Sequence, residues 1–173
     1  MSTPGRTPRE ALPDVIARRQ RREASQRYWL MGLIAVAVIA LDQIVKVIVR
    51  STIEPGEVVD VLPGIDFVHV TNTGIAFSLF SGSTGVIAVL TLITIAVIAL
   101  VLVAYAGQHR LVPIGGGLLL GGSIGNLIDR MTRQGVTDFI AIGPWPAFNV
   151  ADTAVTCGAI LLVIALIFTG RDA

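Results

Sequence analysis

The chain has 173 residues, 53% hydrophobic and only 14% charged, with a mean hydropathy of +0.77. A soluble domain carries about 25% charged residues, so the composition excludes an ordinary water-soluble enzyme and leaves one integral membrane domain with no room for a separate soluble catalytic module. A net charge of +1 provides no global basic field for nucleic acid, and the single cysteine, Cys157, has no internal disulfide partner and belongs to no Cys/His metal spacing.

Residues 1–27 are polar and contain Arg6, Arg9, Arg18, Arg19, Arg21, Arg22 and Arg27. They read as a cytoplasmic tail, disordered or weakly helical. The arginine pairs invite a twin-arginine export reading, but a full span follows rather than a short signal core. The remaining chain, 28–173, forms a single membrane domain. Its first span, Tyr28 to Val49, has roughly the 20 residues needed to cross the hydrocarbon. Near its far end Asp42 and Lys46 share one helix face at i, i+4, acid before base, the favourable order. Lys46 is the only lysine. A structural ion pair is the preferred reading, with a direct chemical role as the alternative.

Residues 50–84 have no basic residue after Arg50 and carry Glu54, Glu57, Asp60 and Asp66. Pro55-Gly56 and Pro63-Gly64 are turn signals. Glu57–Leu62 and Ile65–Val70 have strand-like content, so a small antiparallel sheet is expected on the membrane face between spans 1 and 2. Asn72-Thr73-Gly74-Ile75-Ala76-Phe77 ends it. Val86 to Tyr105 is the expected second span, Gln108-His109-Arg110 a basic turn, and Leu111 to about Asp129 the third span. Gly117, Gly121 and Gly125 give that span a face without side chains, which another helix can approach closely. Val150 to Thr169 is the expected fourth span, followed by Arg171.

Four spans place both termini on one side. The basic residues of the tail, the 108–110 turn and Arg171 assign that side to the cytoplasm. Asp42, Lys46, Asn126, Asp129, Arg130, Asp138 and Asp152 then all converge on the outer interface. Ionisable groups at membrane depth are costly, so this cluster is a candidate functional site.

Several chemistries can be tested on it. Gly121-Gly122-Ser123-Ile124-Gly125 matches the nucleophile elbow, but that motif needs a strand–turn–helix and a histidine partner, and Ser123 falls inside an apolar helix. A pair of Ser123 with Lys46 is a weaker variant. His69 lacks the spacing of a metal site, and a lone strand histidine is usually structural. Carboxylate pairs remain: two Asp side chains held close cannot both ionise, so one acts as acid and the other as base. Asp129, with Arg130 and Asn126 beside it, reads as ionised and structurally bound. Asp138 in an extended segment and Asp152 at the start of the fourth span are the preferred pair, although Asp152 also reads as an ordinary first-turn acid or N-cap. The competing class is a small proton- or ion-coupled transporter subunit. The clustering of the acids at one interface and the lack of an inverted repeat weigh against it.

Asp42-Gln-x-x-Lys46, Asn72-x-Gly74-x-Ala76-Phe77, Gly121-Gly-x-x-Gly125-Asn126-x-x-Asp129-Arg130, Val136-x-Asp138-Phe139 and Phe148-Asn149-x-Ala151-Asp152 occur in this order. Together they resemble the lipoprotein signal peptidase (signal peptidase II) family, from the first span to the fourth. The resemblance implies an aspartyl endopeptidase of the bacterial cytoplasmic membrane, with Asp138 and Asp152 as its catalytic dyad and no metal or other cofactor. Its substrates would be diacylglyceryl-modified prolipoproteins, cut just before the lipidated cysteine, and globomycin-type peptides would block the site. Asn72 and Arg130 would contact substrate backbone, Asn126 and Asn149 would shape the site, and Asp42, Lys46 and Asp129 would hold the helices together. Membrane lipids are the other expected partners, and a monomer is the expected state.

Overall fold

The computed structural model describes residues 8–73, 109–133 and 135–169. Among them are three helices, α1 (Pro8–Thr52), α2 (Leu111–Arg133) and α3 (Val150–Thr169), and three strands, β1 (Val58–Leu62), β2 (Ile65–Asn72) and β3 (Val136–Ile142). Each helix is long and apolar enough to cross a membrane, and the protein is an integral membrane protein. The expected second span, Val86 to Tyr105, lies outside the described residues, as does the Gly74–Phe77 part of the Asn72 motif.

Helix α1 starts well before the apolar run. Pro8 sits at the first helical position, where a missing N–H is harmless and its fixed φ suits the helix. The strong helix formers Ala, Arg, Gln and Glu carry the helix through the polar segment without a break. Residues 8–27 are therefore helical, where the sequence predicts a disordered or weakly helical tail. Within the span, Met31, Asp42, Lys46, Val49 and Ile53 form one buried stripe. Leu33, Val36, Leu41, Ile44, Val47 and Ile48 form the exposed one. The charged pair thus lies on the face turned towards the other helices, and the aliphatic face is left for lipid.

Glycine on α2 brings the helices together. A Cβ on Gly117 would meet Met31 and Ile34, one on Gly121 would lie 2.8 Å from the Ala35 carbonyl oxygen, and one on Gly125 would lie 2.8 Å from Asp42 Oδ2. The contacts climb both helices in the same direction, so α1 and α2 are parallel. Gly115 and Gly122 face Gly158 and Ala151 of α3 in the opposite order, so α3 runs antiparallel. This bears out the expected smooth face of the third span and adds a second one.

The sheet has the order β1-β2-β3, antiparallel throughout. Pro63-Gly64 makes the β1–β2 turn, with Gly64 at a φ of 79°, a conformation in which glycine has no steric penalty. The third strand comes from beyond α2, so the sheet is not confined to the segment between the first two spans. It fastens that segment to the α2–α3 connection and places the C-terminal ends of α1 and α2 and the start of α3 at one end of the molecule. A bulge between Phe67 and Val70 lets the successive residues Val68 and His69 both be buried, which strict strand alternation forbids. His69 Nδ1 then lies 2.8 Å from the Ile53 carbonyl at the end of α1. That histidine is structural, as the sequence predicts.

Overpacking a tight helix contact typically costs about 1–3 kcal/mol. Gly121→Val is therefore expected to lower the thermal midpoint in detergent clearly. Gly32→Ala, where nothing lies within 4 Å of an added Cβ, is expected to be neutral or mildly stabilising. Equal midpoints for the two variants would contradict the close α1–α2 approach.

Candidate active site

Lys46 is completely buried. An ammonium has three N–H donors and no acceptor, and Lys46 uses them on Asp42 Oδ2 at 2.8 Å, Asp129 Oδ2 at 3.0 Å and Asn126 Oδ1 at 2.9 Å. Both aspartates are completely buried too. Asp42 Oδ1 accepts the Ala151 N–H of α3 at 3.0 Å, and Asp129 Oδ2 accepts the Thr137 N–H of β3 at 3.2 Å. One cation thus links α1, α2, α3 and β3 through its acidic neighbours. These bonds place Asp42, Lys46 and Asp129 between the helices. Asp129 does not have the partner expected for it: its cations are Lys46 and, at 3.7 Å, Arg50. Arg130 feels the Asp129 charge less than those of Asp152 and Asp138, and its Nη1 lies 3.5 Å from the Asn126 carbonyl. Residues adjacent on a helix point about 100° apart, so sequence neighbours are poor candidates for an ion pair.

Two further residues belong to this cluster. Gln43 Nε2 donates to Asp42 Oδ2, the Gly125 carbonyl and Asp129 Oδ1 at 3.2–3.3 Å. Arg50 Nη1 donates to Thr137 Oγ1 at 3.0 Å. The signal for Arg50 was available in the sequence, because Asp42, Lys46 and Arg50 continue one i, i+4 row.

The second layer is a set of carboxamides. Asn149 caps α3: its Oδ1 accepts the Asp152 N–H at 2.9 Å, and Asp152 Oδ2 accepts the Asn149 N–H at 3.2 Å. This reciprocal pair is a capping box with Asp in place of Glu. The first-turn reading of Asp152 is therefore correct without exhausting its role, since its other oxygen accepts Asn126 Nδ2 at 2.8 Å. Asn149 Nδ2 reaches Asp138 Oδ1 at 2.7 Å and Asn126 Oδ1 at 3.2 Å. Asn72 Nδ2 reaches Asp138 Oδ2 at 2.9 Å. Register explains that last contact: Val70 pairs with Asp138 and Asn72 with Val136, so Asn72 and Asp138 are diagonal neighbours on one face. Phe148 pairs with Ile140, which returns the chain to β3 and brings Asn149 beside Asp138.

Asp138 is 2% exposed. Burial pushes its carboxyl up to about 6, and the Asp152 charge adds to this, while the bonds from Asn72 and Asn149 and the Lys46 charge oppose it. Asp152 is half-buried and lines a groove of about 300 Å³ with Trp145, Phe148, Thr153, Thr156 and Cys157. Arg130 is half-buried within electrostatic reach of both Asp138 and Asp152. All nine residues singled out in the sequence therefore meet at one end of the helices. Ser123 lies within α2 and not on a strand–turn–helix elbow, so the serine reading fails.

A family model described as Signal peptidase (SPase) II matches residues 34–168. The chain belongs to that family. The lipoprotein signal peptidase of Shouchella clausii is 39% identical over 142 residues, covering 81% of this chain and 94% of the relative. That of Rhodococcus jostii is 42% identical over 149 residues, covering 80% and 73%. A bacterial membrane enzyme solved by the in meso method matches with a TM-score of 0.68 at 32% identity, over 79% of this chain and 91% of its own. A second such structure matches with a TM-score of 0.69 at 31% identity, over 82% and 90%. Signal peptidase II is an aspartic peptidase family, and the ion-coupled transporter reading falls away.

Removing one partner from a buried ion cluster costs about 3–5 kcal/mol. Lys46→Met leaves two buried carboxylates facing each other and is expected to reduce folded yield and thermal midpoint severely. Asp129→Asn keeps the Lys46–Asp42 pair and should cost less. Thermal unfolding of the purified variants checks the order; a Lys46→Met protein as stable as the parent would contradict it.

Proposed function

We propose that the protein is an aspartic endopeptidase of the bacterial cytoplasmic membrane. It removes the signal peptide from diacylglyceryl-modified prolipoproteins, cutting immediately before the lipidated cysteine. The observation that carries this reading is the convergence of Asp138 and Asp152, from β3 and α3, on two linked carboxamides: Asn149 Nδ2 donates to Asp138 and to Asn126 Oδ1, and Asn126 Nδ2 donates to Asp152.

One carboxyl of the pair is ionised and takes a proton from water as the water oxygen attacks the scissile carbonyl carbon. The other holds the shared proton and, as the tetrahedral intermediate collapses, a proton passes to the leaving amine nitrogen. The C–N bond breaks, giving a signal-peptide carboxylate and a free amine on the lipidated cysteine. Proton transfers of this kind typically contribute about 10²–10⁴-fold each. The half-exposed Arg130 guanidinium supplies donors for a substrate backbone carbonyl. Asn72 positions Asp138 from the sheet and presents the same edge to the peptide.

The active site faces outwards, with both termini in the cytoplasm. The Arg-rich start of α1 lies at the end opposite the sheet, which supports this orientation by the positive-inside rule. Four spans are supported by the parallel course of α1 and α2. The chain between them must recross the membrane, and Val86 to Tyr105 is the apolar run long enough to do so.

Asp138→Asn and Asp152→Asn should each abolish cleavage of a lipidated peptide while the protein still inserts and accumulates. Near-normal turnover by either purified variant refutes the dyad. The pH–rate profile should be bell-shaped. As pH rises above the Asp138 value of about 6 the proton it holds is lost, and with it the acid of the pair; at pH low enough to put a second proton on the pair no base remains. A flat profile from acid to alkaline conditions contradicts proton sharing.

Lipid dependence is the third expectation. Each buried methylene contributes about 0.8 kcal/mol, so two acyl chains hold the cysteine at the interface far better than a free thiol does. A diacylglyceryl peptide should be cut and the identical free-cysteine peptide should not, in the same detergent. Comparable cleavage of both would mean that peptide contacts alone position the bond.

A further inference from the structure

Lys46 touches neither carboxyl of the dyad, yet its bonds determine how one of them is held. Asn126 Oδ1 accepts from Lys46 at 2.9 Å and from Asn149 Nδ2 at 3.2 Å. Those two donors fix the rotation of the carboxamide and leave its NH₂ facing Asp152 Oδ1 at 2.8 Å. The flipped amide would set its NH₂ against an ammonium and its oxygen against a carboxylate, both repulsive contacts. The ammonium cannot swing away, because Asp42 and Asp129 hold its other two protons in a fully buried cluster. Asn149 is locked in the same manner by the Asp152 N–H on its Oδ1, which leaves its NH₂ for Asp138.

We propose that Lys46 is a positioning residue for the reaction: acting through the Asn126 carboxamide, it holds a hydrogen-bond donor on Asp152. This rests on the assignment of Asp138 and Asp152 as the dyad. A role limited to holding helices together would leave the chemistry of a folded variant intact. A positioning role makes the loss appear in kcat and only through Asn126. The charged groups around the relay are Asp42 and Arg50 on α1, Asp129 and Arg130 on α2, Asp138 on β3 and Asp152 on α3. All except Asp129 stay constant in the comparison that follows, and Asp129 is altered equally in every arm.

The test is a double-mutant cycle read in kcat with a lipidated peptide. Lys46→Gln is made in an Asp129→Asn background, so that the buried cluster loses one charge of each sign. Asn126→Ala is then added with and without it. A hydrogen bond to a charged group is worth about tenfold or more. Asn126→Ala is therefore expected to lower kcat by at least about tenfold while Lys46 is present, and by less than about twofold once Lys46 is gone, with KM nearly unchanged. Equal losses in both backgrounds overturn the proposal.

If the Lys46→Gln combination does not fold, Asn126→Asp decides. It still gives Lys46 an acceptor of the same shape but replaces the donor on Asp152 with a carboxylate. The expected result in the folded variant is a kcat lower by about tenfold or more and a pH–rate optimum moved towards alkaline, because an added anion favours the protonated form of its neighbours. A kcat within about twofold of the parent with an unmoved optimum overturns the proposal. Asp138→Asn and Asp152→Asn run alongside. Turnover by either refutes the dyad itself; inactivity of both, with additive Asn126 losses, refutes only the positioning by Lys46.

Discussion

A single buried ammonium carries the architecture. Lys46 is surrounded by Asp42, Asp129 and Asn126, and each of these in turn bonds α3 or β3. Asp42 takes a backbone N–H at the start of α3, Asp129 one from β3, and Asn126 the carboxyl of Asp152. Removing ions from water costs several kcal/mol each. The cluster is therefore tolerable only as a complete set, with every lone pair and proton met. Among the described residues no buried side-chain nitrogen or oxygen lacks a partner. Such a set forms only when all four elements are in place, which makes it a register pin as well as a contact.

Close helix approach and buried charge depend on each other here. A side chain at Gly125 would collide with Asp42, so the small residue is what allows an aspartate to occupy the α1–α2 seam. The apolar faces of α1 and α3 are left turned outwards, with Leu33, Val36, Val163 and Leu166 well exposed. In lipid, helices gain little from apolar contact with one another. Tight glycine packing along α2 and a buried polar cluster at the site end are then the forces available to hold the bundle.

The same frame gives the two proposed catalytic carboxyls different surroundings. Asp138 projects from a strand into a buried position and meets two neutral amide donors. Asp152 sits in the first turn of a helix, half-buried, bonded by a backbone N–H and an amide. Unequal environments are what let one of two similar acids keep a proton while the other gives it up. The proposed reaction is assigned to Asp, Asn, Arg and Lys side chains at this end of the helices.

Much of this was legible in the sequence. Apolar runs of about the right length located the helices, because membrane burial writes itself into continuous composition. Pro63-Gly64 gave the hairpin, because its turn conformation is set within two residues. Asp42 and Lys46 were paired by helix periodicity alone. Other features were decided only in three dimensions. The segment from Val136 to Phe139 was recognisable as extended, but its continuation to Ile142 and its addition to β2 depend on pairing across the whole of α2. Asp129 was given the wrong cation, because its true partners come from α1. The partners of Gln43 and the contact of His69 with the end of α1 depend on distant packing in the same way. Local propensity, periodicity and turn chemistry act between residues a few positions apart, and the sequence by itself determined what they control. Which carboxylate meets which amide depends on how distant elements pack, and only the tertiary structure settled it.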